Sequence, residues 1–220
     1  MKGLLLKEGY QAFAYGKSIF FAAVVMFAAS AVILMQGGEQ GMFLIYACFL
    51  MGIFPMTQLA YDESFGWTEY SYTLPVGREQ LVGVKYLTGL VFMAFGALLS
   101  ALVLLFFGKT LGQGYAMFLM TEAICAPMIS NTVLLPMSYR LGYKKARYLY
   151  LGFVAFFAIV LNARVFAPDS MGDALTGMHP TEDALTGTPV LLLLGSVAVC
   201  GLLYLASWRL SVAWYGKARD

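Results

Sequence analysis

Apolar residues fall in blocks of about twenty, and short polar segments separate the blocks. The blocks run over residues 18–35, 42–61, 85–107, 115–137, 148–166 and 189–208. A helix needs roughly 20 apolar residues to cross a hydrocarbon core of about 30 Å. The pattern therefore predicts an all-α membrane protein with six transmembrane helices. Ala29-Ser30-Ala31 imitates a signal-peptidase site, but apolar residues continue through Met35, so the first block reads as a retained span. Before it, Leu6, Tyr10 and Phe13 recur at helical spacing among Lys2, Lys7 and Lys17, which predicts an amphipathic helix on the membrane surface.

Individual spans carry further signals. Pro55 interrupts the second. In the third, Gly96/Ser100 and Ala97/Ala101 are four apart, a spacing that lets a neighbouring helix approach closely. The fourth holds Glu122, Pro127, Asn131 and Pro136, and two prolines predict a kinked or broken helix, the least regular of the six. Between spans five and six lies the longest polar stretch, 167–188, where Asp-Ala-Leu-Thr-Gly occurs at 173–177 and again at 183–187. Two copies read as a local duplication, not as a repeat architecture.

Composition agrees with a membrane protein, since the 220 residues are 60% hydrophobic and 12% charged, with a mean hydropathy of +0.75. Residues 1–220 read as one transmembrane domain, with no room for a soluble catalytic or nucleotide-binding fold. Of the 14 Lys and Arg residues, only Lys109 and Arg164 fall on one side of the six-span layout. The other side holds Lys2, Lys7, Lys17, Arg78, Lys85, Arg140, Lys144, Lys145, Arg147, Arg209, Lys217 and Arg219. The positive-inside rule then places both termini and the 62–86 loop in the cytoplasm and the 167–188 loop outside.

Cys48, Cys125 and Cys200 sit in three different apolar blocks, which indicates neither a disulfide framework nor a zinc site. His179 stands alone in a polar loop and is not read as a metal ligand. No P-loop pattern and no nucleophile–base pair is present. Among the spans, Glu122 is the ionisable candidate; it either lines a polar path or reaches the outer interface. Thr57, Gln58, Ser130, Asn131, Thr132 and Asn162 either line a substrate route or hydrogen-bond between helices. One reading is thus a membrane enzyme, or an accessory or sensor subunit, with a polar site around Glu122, Asn131 and Arg164. Nucleic acid is not an expected partner.

The charge-rich stretch from Asp62 to Tyr86 reads either as an amphipathic loop that joins two spans or as an element that meets a partner. It opens with Asp62-Glu63, which suit the first turn of a short helix. Trp67, Tyr70 and Leu74 follow on a polar background, Pro75 stops the helix, and Arg78 and Lys85 flank the next apolar block. That order resembles the cytoplasmic loop after the second span in small permease subunits of the ABC-2 type. The resemblance implies a coupling helix between spans 2 and 3 that docks on a separate ATP-hydrolysing subunit. Asp62, Glu63, Trp67, Tyr70, Leu74, Pro75 and Arg78 are the expected contacts, with Arg140 and Lys144 on the next cytoplasmic connector as lesser ones.

It also implies a second permease subunit, identical or not, and export of a peptide, antibiotic or lipid-like substrate across a bacterial cell membrane. ATP and Mg²⁺ would be bound by the partner and no cofactor by this chain. The basic connector from Tyr139 to Arg147 is also expected to meet anionic lipid.

Overall fold

The computed structural model describes residues 2–36, 42–71, 73–108, 113–142 and 189–217, with Leu111 and scattered positions from 145 to 159. Among them there is no strand. The helices are α1 (Lys2–Tyr15), α2 (Lys17–Met35), α3 (Met42–Gly52), α4 (Phe54–Ser64), α5 (Trp67–Ser71), α6 (Arg78–Phe107), α7 (Gln113–Leu141) and α8 (Pro189–Lys217). The described positions from 145 to 159 are helical as well. Most of the predicted fifth span, the 167–188 loop, Lys144, Asn162 and Arg164 lie outside the described residues.

Five helical stretches are long and apolar enough to cross a bilayer: Lys17–Met35, Phe43–Ser64, Arg78–Phe107, Gly114–Leu141 and Leu193–Tyr215. They coincide with the first, second, third, fourth and sixth predicted spans, but four run further at their polar ends, the second by three residues to Ser64. The third starts at Arg78, directly after the extended Gly77, instead of at Lys85. The fourth continues to Leu141 and stops at Gly142, whose φ of +77° suits a residue without Cβ. The sixth continues past Trp208. Apolar character ends where the bilayer does, whereas a helix ends where its backbone finds a stop.

The broken helix is the second span, not the fourth. Pro55 has no N–H to give, and the chain makes a turn at Ile53 that divides α3 from α4. Met56 N–H bonds the carbonyl of Ile53, which leaves the carbonyl of Gly52 free for the Asn131 side chain at 2.8 Å. The fourth span stays one helix through Pro127 and Pro136, and at Pro136 a neighbour takes up the freed group. Pro136 cannot bond the Thr132 carbonyl, and Ser207 on α8 donates to it at 2.7 Å.

Close approach explains how α6 sits against the broken span. Its buried face runs Val82, Tyr86, Gly89, Met93, Gly96 and Ser100, at steps of three and four. A Cβ on Gly89 would lie 2.8 Å from Pro55 Cγ, and Cys48 Sγ meets Ser100 Oγ at 2.9 Å. Gly96 and Ser100 therefore act as the sequence pattern indicated, while Ala101 is exposed. The three cysteines are free and buried.

α1 forms a helix over the expected stretch, and its two stripes part. Leu6, Tyr10 and Phe13 point away from the protein, Phe13 being 81% exposed. It is the polar stripe, Glu8 and Gln11, that packs inward.

Candidate functional site

The inward stripe of α1 completes a ring of four charges. Lys85, two turns into α6, places its Nζ 2.6 Å from Glu8 Oε2 and 2.6 Å from Asp62 Oδ2. Lys7 bonds Glu8 Oε1 at 3.0 Å and closes the ring on Asp62 Oδ1. Each charge thus meets two of opposite sign, and the four sum to zero. Glu8 is 3% exposed and Lys85 5%, so little water competes for them. Removing one member of such a set leaves a buried charge uncompensated, at a typical cost of about 3–5 kcal/mol.

Two glutamines stitch the same elements together through the backbone. Gln58 Nε2 donates to the Glu8 carbonyl at 3.1 Å, and Gln11 Nε2 donates to the Gln58 carbonyl at 3.2 Å. Gln11 Nε2 also reaches Asp62 Oδ1 at 3.2 Å. The ring therefore binds α1, the end of α4 and the start of α6 into one unit.

α5 is attached directly to that unit. The positive-φ residue Gly66 turns the chain from α4 into α5, a backbone state that glycine adopts without strain. Lys7 Nζ lies 4.4 Å from the centroid of the Trp67 ring, a cation–π contact from α1 to α5. At its other end, Ser71 Oγ and Tyr215 Oη of α8 are 3.3 Å apart. Between these elements lies a cavity of ≈ 360 Å³ bordered by Glu8, Asp62, Glu69, Lys85, Ser71 and Tyr215. A more open hollow beside α1 is walled by Tyr10, Tyr15, Phe65, Trp67 and Tyr70.

The structure separates the expected contact residues into inner and outer sets. Asp62 is 7% exposed and held by both lysines, and Trp67 is partly covered by Lys7. Glu63, Tyr70, Pro75 and Arg78 are exposed, and Leu74 is half-buried. Arg140, exposed at the end of α7, sits 5.1 Å from the Trp214 ring. One local expectation is corrected: Asp62 and Glu63 do not open a helix but close α4. A helix C-terminus disfavours negative charge, and for Asp62 the two lysine ammonium groups outweigh that dipole.

Three of the polar residues proposed for a path are engaged elsewhere in the bundle, and Asn162 lies outside the described residues. Asn131 is used up on Gly52 and on the Pro127 carbonyl at 3.0 Å. Thr57 bonds the Phe54 carbonyl, and Gln58 belongs to the charged ring. Glu122 is half-buried nine residues before Asn131 on α7, a rise of about 13 Å. Among the described residues, no three His, Cys, Asp or Glu side chains gather to hold a metal ion.

Sequence reasoning missed Glu8 and Lys85 as members of a site. The signals were present: Glu8 and Gln11 are three apart on a helix whose other stripe is apolar. Lys85 lies three residues after Val82, on the inward face of α6.

Residues 3–216 match a family model described as "ABC-2 family transporter protein". Neither a curated protein nor a solved structure matches the chain.

Proposed function

The chain belongs to the ABC-2 family of transporter proteins, and we propose that it is the permease subunit of an exporter driven by ATP hydrolysis in a separate subunit. The observation that carries this reading is the attachment of α5. It is a short helix with Glu69 and Tyr70 exposed, joined to the transmembrane bundle through Lys7, Asp62 and Lys85. A partner that pushes on an element so anchored moves the spans behind it. A free loop would absorb the push.

In this reading two permease subunits share one path, and the partner binds ATP and Mg²⁺. Both termini and α5 face the cytoplasm in this reading, which the excess of Lys and Arg on that side of a six-span layout supports. The substrate is a peptide, antibiotic or lipid-like molecule. An enzyme centred on Glu122 is disfavoured because Asn131, the described residue that was to join it, already serves the backbone of the bundle.

The test is affinity purification of the tagged chain from its native membranes in mild detergent. An ATP-binding subunit should accompany it, and ATPase activity should follow that subunit. The tagged chain stripped of the partner should hydrolyse none. ATPase activity in a preparation shown to contain this chain alone would overturn the assignment.

A further inference from the structure

We propose that Glu8 and Lys85 are positioning residues for energy coupling: they make α1 travel with α5 and α6 when the ATP-binding partner engages. This rests on the permease reading and goes beyond it, since α1 was expected only to lie on the membrane.

The geometry leaves α1 little independence. Glu8 meets Lys85 of α6 at 2.6 Å and Lys7 at 3.0 Å, while Lys7 meets Asp62 of α4 and the ring of Trp67 in α5. The Gln58–Glu8 and Gln11–Gln58 bonds add fixed backbone attachments at the same level. Moving the end of α4 or the start of α6 without α1 would separate charges that are nearly removed from water, and tilting α5 alone would pull Trp67 off Lys7, so the low-energy motion carries the ring intact. The outward stripe of α1, Leu6, Tyr10 and Phe13, is exposed and makes no comparable bonds among the described residues, so it can slide against lipid. On this view α1 is a lever whose inner face is fastened and whose outer face is free.

The experiment uses the complete complex with its ATP-binding subunit in nanodiscs, spin-labelled at Thr73→Cys beside α5, Phe13→Cys on α1 or Leu87→Cys on α6. These positions are exposed, whereas the native cysteines are buried. Spectra are compared without nucleotide and with ATP and vanadate. In the wild-type background all three labels should respond. Glu8→Gln combined with Lys85→Met removes one charge of each sign, and the Phe13 label should then lose its response by ~5-fold or more, the lower end of usual coupling factors. The Thr73 label should keep its response. Lys85→Arg, which retains charge and reach, should respond as wild type at all three positions.

A Phe13 label that ignores ATP in wild type while the Thr73 label responds would overturn the proposal and leave the permease reading standing. So would an unchanged Phe13 response in the double variant, which would mean that the ring serves stability alone. A Thr73 label silent to ATP in wild type would overturn both.

Discussion

Asn131 on α7 donates its side-chain amide to the carbonyl of Gly52, 2.8 Å away, where the second span breaks into α3 and α4. In hydrocarbon a free carbonyl has no water to turn to, so the break persists only because a neighbouring helix supplies a donor.

Asn131→Leu keeps the size and removes the donor. The Gly52 carbonyl is then buried and unsatisfied, which should cost about 1–3 kcal/mol. For a chain of this length that lowers Tm by several degrees, at about 2–4 °C per kcal/mol. Thermal unfolding in detergent measures it, and a Tm within a degree of wild type would show that the bond contributes nothing.

Gly89 and Gly195 form a matched pair for testing how the helices approach. A Cβ on Gly89 would lie 2.8 Å from Pro55 Cγ and 2.9 Å from Tyr204 Oη, and that hydroxyl is tethered to the Tyr86 carbonyl at 2.9 Å. Among the described residues, nothing lies within 4 Å of a Cβ on Gly195. Gly89→Val should therefore cost about 1–3 kcal/mol through overpacking. Gly195→Ala should be neutral or stabilise by up to ~1 kcal/mol. Equal stabilities of the two variants would contradict the packing at Pro55.

How much of this was legible in the sequence depends on the range of the interaction. Spans follow from runs of Leu, Val, Phe and Ala, because bilayer thickness sets a length that composition alone must satisfy. Pro55 and Pro136 illustrate the limit. Both lack the same N–H, yet one divides its helix and the other does not. In each case the free carbonyl is satisfied by a partner distant in the chain, Asn131 for Gly52 and Ser207 for Thr132, which local sequence does not reveal. The loop after the second span was visible through its charges and aromatics, but its division into inner and outer residues was not. Asp62 and Glu63 are adjacent and chemically alike, and only the fold puts Lys7 and Lys85 against the first.

The charged ring predicts strong non-additivity. Lys85→Met leaves Glu8 and Asp62 buried with one ammonium between them, and Glu8→Gln leaves two ammonium groups with one carboxylate. Each single variant should lose about 3–5 kcal/mol. The double variant retains the Lys7–Asp62 pair, and its loss should fall short of the sum by about 0.5–3 kcal/mol. A thermodynamic cycle from thermal or denaturant unfolding gives the coupling, and strictly additive losses would mean that the two side chains do not interact.

Orientation can be tested at two exposed positions, Gln36 after α2 and Gln80 in the first turn of α6. An impermeant thiol reagent applied to intact cells should modify Gln36→Cys and leave Gln80→Cys until the membrane is permeabilised. The reverse pattern would invert the topology drawn from the Lys and Arg distribution.

Among the aromatic residues around α5, Tyr70 rather than Trp67 should anchor the ATP-binding partner. An anchor gains from docking in proportion to the apolar surface it still has to bury, and the strongest anchors sit in the desolvated centre of an interface. Tyr70 is 56% exposed and Phe65 65%, whereas Trp67 already carries Lys7 over its ring at 4.4 Å. Asp62 is similarly committed, whereas Glu69 and Arg78 are exposed charges that can set register at the rim. Tyr70→Ala should weaken association by about 2 kcal/mol, roughly 30-fold. Trp67→Ala should change affinity less but disturb the tie between α5 and α1. Titration of the purified permease with its ATP-binding subunit separates the two effects. Should Trp67→Ala weaken binding more than Tyr70→Ala, the docking face would lie on the side of α5 that turns toward Lys7.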